Sequence, residues 1–372
     1  MNASWSLDTL YLPRPARLTA HISSRLRSPD IKEETVHAVL AEYGLELTGR
    51  PQNMPNARRN RNLIVHTQMG RKVLKLYRAD WRPETIAHEH SILRHLAQMD
   101  SPAPRLLATA SGKTAIAHGS NYYCVFDFVK GMNYSFTFLL RAHRMQLMRA
   151  AARTLAQLHL RLLDFVPLGR HHLGFISRKG QRVRDVDWHI KRVVELKERS
   201  QSLSEPASDW LTVRGFSILD NMTELDEALQ NAQLPITIIH GDFGLHNLIF
   251  QSAKQATPMD FELARLEWRL SDLVSCLSKL RNRAGNYDMG SVREFLAAYQ
   301  VEYPIGDEEW HWFPLVWKNY KLAKAVQYWS SYFETNGPAR KLSLARDAAE
   351  QAGWLTDHPD MVREMRSGML GE

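Results

Sequence analysis

The sequence predicts an α+β protein in two parts: a small antiparallel sheet carrying one main helix, then a larger, mostly helical region. Two observations carry this expectation. Between residues 45 and 129, five short strand-like runs separated by glycine and proline turns surround a single helical pattern. After Lys130 and Gly131 the apolar spacing becomes helical and stays so to the end, apart from short apolar runs between residues 236 and 259. The expected division is an extension over 1–30, a first lobe over 31–130 and a second lobe over 131–372.

Composition agrees with a globular chain. With 372 residues, 44% of them hydrophobic and 24% charged, a disulfide mini-protein and global disorder are both excluded. Forty-eight Lys and Arg against 40 Asp and Glu leave a net charge of +8, which suits phosphorylated ligands, nucleic acid or simply a basic soluble protein. Only charge supports nucleic acid, so that partner ranks last. Cys124 and Cys276 are the two cysteines, each inside an apolar stretch, as in a reducing compartment. Asp8, Pro13 and Pro15 interrupt the start of the chain where a signal peptide needs an apolar core, and no segment approaches 18 uninterrupted apolar residues. The expectation is a cytoplasmic protein with no membrane partner.

In chain order, residues 1–30 are punctuated by prolines and keep no period. From Lys32 to Tyr43, Val36, Val39, Leu40 and Tyr43 share one helical side, and Gly44 supplies a stop. Strands are expected at Leu45–Thr48, Asn62–Thr67 and Lys72–Tyr77. The main helix starts near Pro83 with Ile86, Leu93 and Leu96 on its apolar stripe. Glu89 falls on that same stripe, where a carboxylate needs a cation or hydrogen-bond partner. Thr114–Ala117 and Tyr122–Val129 complete the five strands. Beyond them, Leu147, Ala151, Leu155, Leu158 and Leu162 mark a buried helix face. His159 on that helix reads as a satisfied core histidine, and the aromatics from Trp310 to Tyr332 read as core packing.

The chemistry concentrates in I-I-H-G-D-F-G-L-H-N-L-I-F, residues 238–250, and P-M-D-F-E, residues 258–262. His240, Asp242 and Asn247 lie on a loop between two apolar strands, and Asp260 opens the turn after the next strand. Asn247 and Asp260 suit a hard divalent cation, and Asp242 is a nearby carboxylate able to act as a base. At average residue frequencies, H-G-D with an asparagine five residues after the aspartate arises by chance on the order of once in a thousand chains of this length.

This segment resembles the catalytic and metal-binding loops of the protein-kinase-like fold, in the branch holding aminoglycoside phosphotransferases, choline kinases and CotS-like spore-coat kinases. There H-G-D-x-x-x-x-N stands in place of H-R-D-x-x-x-x-N. The resemblance spans residues 32–335 and implies a bilobal fold with an antiparallel-sheet N-lobe, one main helix and a mostly helical C-lobe. It implies ATP and Mg²⁺ as cofactors and transfer of the γ-phosphate to a hydroxyl of an amino sugar, amino alcohol or related metabolite. Asp242 becomes the catalytic base or hydroxyl-orienting carboxylate, while Asn247 and Asp260 become the metal ligands. Lys75, in V-L-K-L-Y, would meet the α/β-phosphates with Glu89 as its ion-pair partner. Backbone groups at Asp127 and Val129, in the inter-lobe connection, would meet the adenine, and Asp272 would brace the catalytic loop.

The chain also departs from that pattern. No G-x-G-x-x-G lies between the first two strands, and Arg58, Arg59 and Arg61 there either touch phosphates or form a solvated turn. Glu262 follows Asp-Phe where a protein kinase has glycine, either near a second metal or as a turn cap. Asp220, Glu224, Asp226, Glu227 and Glu309 in the second lobe would suit an amine-bearing acceptor or a solvated face equally. The competing expectation is a kinase-like spore-coat or binding protein with little turnover.

Overall fold

A computed structural model describes residues 31–54, 61–78, 81–134, 140–169, 186–203, 205–230, 232–282, 285–334 and 337–370. Expectations for residues 1–30 and for Arg58 and Arg59 lie outside these residues.

The first lobe is a five-stranded sheet between two helices. Helix α1 (Glu33–Glu42) precedes β1 (Gln52–Asn53), β2 (Arg61–Thr67) and β3 (Gly70–Leu76). Helix α2 (Pro83–Gln98) follows, then β4 (Ile116–His118) and β5 (Asn121–Asp127). The order is β1-β2-β3-β5-β4, every pair antiparallel. Strand alternation sorts the side chains between the two helices. Leu74 and Leu76 join Leu63, Val65 and Val125 against Val36, Val39 and Leu40 of α1. Val73 and Tyr77 turn the other way and pack with Ile86, Ile92, Leu93 and Leu96 of α2. Lys75, between Leu74 and Leu76, therefore faces α2.

One expected strand is displaced. Of Leu45–Thr48 only Leu47 pairs, in a single bridge to Thr67, and β1 takes the sheet edge instead. Gly49 and Pro51 interrupt the run, and proline cannot donate to a ladder.

The second lobe begins with α3 (Arg141–Leu162), α4 (Val186–Ser200) and α5 (Pro206–Leu229). Four short strands follow: β6 (Ile236–Ile239), β7 (Leu248–Phe250), β8 (Ala256–Pro258) and β9 (Arg265–Trp268). They form two antiparallel ribbons, β6-β9 and β7-β8. The chain ends in α6 (Leu270–Leu277), α7 (Met289–Glu302), α8 (Asp307–Glu334), α9 (Arg340–Asp357) and α10 (Met361–Leu370). The expected α3 stripe is buried, and the core it joins runs without a break into α2 and β3 of the first lobe. Trp317 and Trp329 of α8 are fully buried, so the aromatic-rich stretch is packing. Among the described residues no helix is long and apolar enough to cross a membrane.

Leu155→Ala on α3 should cost about 2–5 kcal/mol in chemical denaturation, since it empties a fully buried site. Val301→Ala on exposed α7 surface should stay within about 0.5 kcal/mol. Equal losses would show that α3 is not the spine of this core.

Candidate active site

The two ribbons set the site. Strand β6 delivers His240 and Gly241, and β7 begins immediately after Asn247. The amide of Met259 donates to the Asn247 carbonyl at 2.8 Å, which extends the β7-β8 pairing and sets Asn247 beside Asp260. Asp260 itself has φ +66°, a left-handed conformation that aspartate tolerates better than most residues. That turn directs an exposed Asp260 away from its buried neighbours Phe261 and Glu262.

Asp272, at the start of α6 and fully buried, holds the loop from below. Its Oδ2 accepts from the His240 amide at 2.6 Å and its Oδ1 from the Gly241 amide at 2.8 Å. His159 Nε2 lies 3.2 Å from the same Oδ2, and Tyr299 Oη lies 2.8 Å from His159 Nδ1. Burial would push the Asp272 carboxyl up, but the His159 hydrogen bond and the loop amides hold it below the usual range. His159 is thus a satisfied core histidine, and Asp272 braces the loop.

Gly241 explains why arginine is absent from this H-G-D. Its φ is +81°, and a Cβ there would stand 2.2 Å from the Leu263 carbonyl oxygen and 2.3 Å from Arg265 Nη1. His240 joins the loop to the Asp260 turn: its Nε2 meets the Met259 carbonyl at 2.9 Å, and its Nδ1 accepts from the Asp242 amide at 3.3 Å. Burial lowers the His240 pKa, so the ring acts as a neutral bridge.

Asp242 is one-third exposed. Lys279 Nζ donates to its Oδ1 at 2.7 Å, and His246 Nε2 lies 3.4 Å from its Oδ2. Burial would raise this carboxyl, yet Lys279, His246 and Lys324 overcome that and hold it well below the usual carboxylate range. The Asn247 side-chain amide donates to the Asp242 carbonyl at 3.0 Å, leaving its own oxygen as the group for a cation.

The first lobe contributes across the cleft. Lys75 Nζ pairs with Glu89 Oε1 at 2.8 Å, both side chains buried. This is the partner that Glu89 required. Tyr77 Oη donates to Glu89 Oε2 at 2.9 Å and meets His90 Nε2 at 2.8 Å, while Thr114 Oγ1 lies 2.8 Å from His90 Nδ1. Burial would strip the charge from Lys75, but the carboxylates of Glu89, Asp260 and Glu262 outweigh it and raise its pKa. Residues 75 and 260 therefore act on each other electrostatically. His88 Nε2, on the same helix as Glu89, meets the Ala264 carbonyl at 3.1 Å and ties α2 to the Asp260 turn.

The connection between lobes is only partly as expected. Asp127 closes β5, but its amide is committed to the Arg105 carbonyl at 2.9 Å and its carboxylate to Lys72 at 2.6 Å. Val129 follows two residues later, half-buried. Gly131, with φ +145°, lies so close to Phe250 that a Cβ would meet its carbonyl oxygen at 2.5 Å. There Met132 and Phe250 exchange two backbone hydrogen bonds.

Sequence reasoning missed several residues. Asn133 donates its side-chain amide to the carbonyls of Leu245, His246 and Leu248 at 2.9–3.1 Å and staples the loop to the connection. Lys279 and Lys324 carry no motif. Of the acidic candidates, Glu309 is bound to Arg269 in a buried ion pair, while on α5 Asp220, Glu224 and Glu227 are exposed and Asp226 is half-buried.

A sheet lobe with a buried Lys-Glu pair, facing a helical lobe with an aspartate-asparagine loop and a further aspartate, defines a phosphotransferase of the protein-kinase-like fold. The particular family follows from comparison. Residues 54–313 match the model of the phosphotransferase enzyme family, and the chain belongs to that family. Homoserine kinase of Rhodospirillum rubrum is 25% identical over 292 residues, covering 77% of this chain and 82% of the relative. An aminoglycoside phosphotransferase from Alicyclobacillus acidocaldarius superposes with a TM-score of 0.63 at 17% identity, over 94% of this chain and 99% of that one. Amicoumacin kinase, solved with AMP-PNP, Ca²⁺ and its antibiotic, gives 0.61 at 15% identity, over 86% and 93%. The fold is the bilobal kinase-like one that the motif resembled, and the chain is a small-molecule kinase.

Gly241→Ala should destabilise the protein by at least about 2 kcal/mol, because a positive φ and a backbone clash coincide. Gly119→Ala, at φ +62° with nothing within 4 Å, should cost only about 1 kcal/mol. Denaturation midpoints of the pair test whether the loop's tight approach is the constraint.

Proposed function

We propose that this enzyme transfers the γ-phosphoryl group of ATP, with Mg²⁺, to a hydroxyl of a small amino sugar, amino alcohol or related metabolite in the cytoplasm. The observation that carries the reading is geometric: helix α2, whose Glu89 pairs with Lys75 at 2.8 Å, also reaches the Asp260 turn of the second lobe through His88, 3.1 Å from the Ala264 carbonyl. This contact supports a site at which a nucleotide bridges both lobes.

Asp242 receives the acceptor's proton, or orients its hydroxyl, as the new oxygen–phosphorus bond forms and the bond between the γ-phosphorus and the β,γ-bridging oxygen breaks. ADP leaves and the proton passes from Asp242 to solvent. Lys75 positions the α/β-phosphates and Glu89 positions Lys75. The Asp127 carbonyl and the Val129 backbone are the groups proposed for the adenine, because the Asp127 amide is already committed.

The donor set fits Mg²⁺. The Asn247 carbonyl oxygen and the Asp260 carboxylate are hard oxygen ligands, and Mg²⁺ is commonly held by one or two carboxylates plus substrate phosphates. When bound, the ion neutralises charge on the phosphate oxygens.

Purified protein with Mg·ATP should release ADP only when a hydroxyl acceptor is present, and Asp242→Asn should lower kcat by on the order of 10²–10⁴. Protein that binds Mg·ATP but phosphorylates nothing across a broad panel would support the kinase-like binding protein instead. Lys279→Met removes the nearest cation from Asp242, so the carboxyl pKa rises. The acid limb of the kcat/KM profile should therefore move to higher pH. An unmoved limb would exclude Asp242 as the titrating base.

A further inference from the structure

The acceptor side of the cleft is cationic. Lys279 Nζ, already on Asp242, lies 3.3 Å from Ser275 Oγ, and Ser275 Oγ accepts from Tyr320 Oη at 3.0 Å. Lys324 Nζ stands 5.5 Å from the centre of the Tyr320 ring and bonds Gln327 Oε1 at 2.9 Å. Lys321, one turn away on α8, is buried with its Nζ 3.5 Å from the Ser278 carbonyl, and Arg281 pairs with Asp347 at 3.0 Å. Four basic side chains, Lys279 and Arg281 from the segment between α6 and α7 and Lys321 and Lys324 from α8, thus crowd one wall, with Asp242 and Asp347 as the carboxylates among them.

The crowding is visible in Lys321, whose pKa is brought down to about 7, first by burial and then by Arg281, Lys279 and Lys324 against Asp347. Asp242 meets the same field: the charged groups that hold it ionised are Lys279, Lys324 and His246. A polycationic acceptor brought to Asp242 would meet cations first. The carboxylates on the nucleotide side, Glu89, Asp260 and Glu262, face Lys75 instead.

We infer that the acceptor carries an anionic group, a carboxylate or a phosphate, close to the hydroxyl that is phosphorylated, and that Lys324 binds that group while Lys279 keeps Asp242 in place. The inference rests on the phosphotransfer reading and narrows it. It separates acidic metabolites from the amino sugars and simple amino alcohols that the fold equally accommodates. A bound anion would also relieve the repulsion among Lys279, Lys321 and Lys324, so part of its binding energy comes from charge that the folded protein already stores.

The test uses acceptor pairs that differ only in the anion: homoserine against 3-amino-1-propanol, serine against ethanolamine, and glycerol 3-phosphate against glycerol. The first two pairs read a carboxylate, the third a phosphate. Each is assayed with Mg·ATP by ADP release, and by thermal shift in the presence of Mg·AMP-PNP. The anionic member of at least one pair should exceed its partner by about tenfold or more in kcat/KM, the scale of one charge-assisted hydrogen bond. Lys324→Met should raise KM for that acceptor by a similar factor while KM for ATP stays within about twofold, and Lys324→Arg should restore most of the loss. Should Lys324→Met fail to fold, the wild-type pair comparison decides alone. If the neutral or amine-only members are used or bound as well as the anionic ones, or if no anionic member is used or bound while Mg·AMP-PNP still stabilises the protein, the inference is overturned and the kinase reading stands. If Mg·AMP-PNP itself does not bind, the kinase reading fails first.

Discussion

The site depends on one buried carboxylate. Asp272 is fully buried, and its charge is supported by what it accepts: two consecutive backbone amides, from His240 and Gly241, and the His159 ring. An isolated ionised carboxylate in such a place would cost several kcal/mol. Hydrogen bonding makes the burial tolerable and converts it into geometry, because the amides satisfy Asp272 only if the chain turns at Gly241. That turn needs a positive φ and leaves no room for a Cβ against Leu263 and Arg265. Asp242 is then aimed by its place in the chain, one residue beyond a fixed glycine.

A second buried pair couples this loop to the other lobe. Lys75 and Glu89 sit on different elements, β3 and α2, and alternation along β3 turns Lys75 toward α2 while its neighbours Leu74 and Leu76 face α1. Tyr77 repeats the Lys75 direction two residues on and holds the second oxygen of Glu89. Because α2 also reaches the Ala264 carbonyl through His88, a shift of α2 would disturb the Glu89 pair and the Asp260 turn together. Lys75, Glu89 and the Asp260 turn are thus a single mechanical unit built across two lobes.

Much of this was legible in the sequence, for an identifiable reason. Asp242, Asn247 and Asp260 are close in the chain because two short ribbons bring them together, so their spacing is itself a structural signature. Glu89 could be read because a carboxylate on an apolar stripe demands a partner wherever it occurs. The edge of the sheet was misplaced because local strand propensity at Leu45–Thr48 says nothing about which residues reach β2 once Gly49 and Pro51 redirect the chain. Lys279 and Asn133 were invisible for a different reason. Lys279 lies 37 residues from Asp242 and Asn133 lies 112 from Leu245, and no periodicity or motif records a contact that exists only after α6 and the inter-lobe segment have packed. The last strand, expected over Tyr122–Val129, closes at Asp127 instead, and the Arg105 carbonyl that occupies the Asp127 amide belongs to a segment without a pattern of its own.

The two sides of the cleft carry opposite charge, and this asymmetry constrains how the proposed reaction can run. Around Lys75 stand the carboxylates of Glu89, Asp260 and Glu262. Around Asp242 the surplus is positive, from Lys279, Lys324 and the neighbouring Lys321 and Arg281. In the proposed reaction the γ-phosphate moves from the side carrying these carboxylates toward the side carrying these lysines. Preorganised charge of this kind needs no rearrangement during transfer, which is where electrostatic stabilisation is most effective. Lys279 is already engaged with Asp242, and Lys324 is the lysine proposed to meet an incoming acid. The proposed division of labour between these two lysines follows from their positions: Lys279 Nζ lies 2.7 Å from Asp242 Oδ1, while Lys324 Nζ stands 5.5 Å from the centre of the Tyr320 ring.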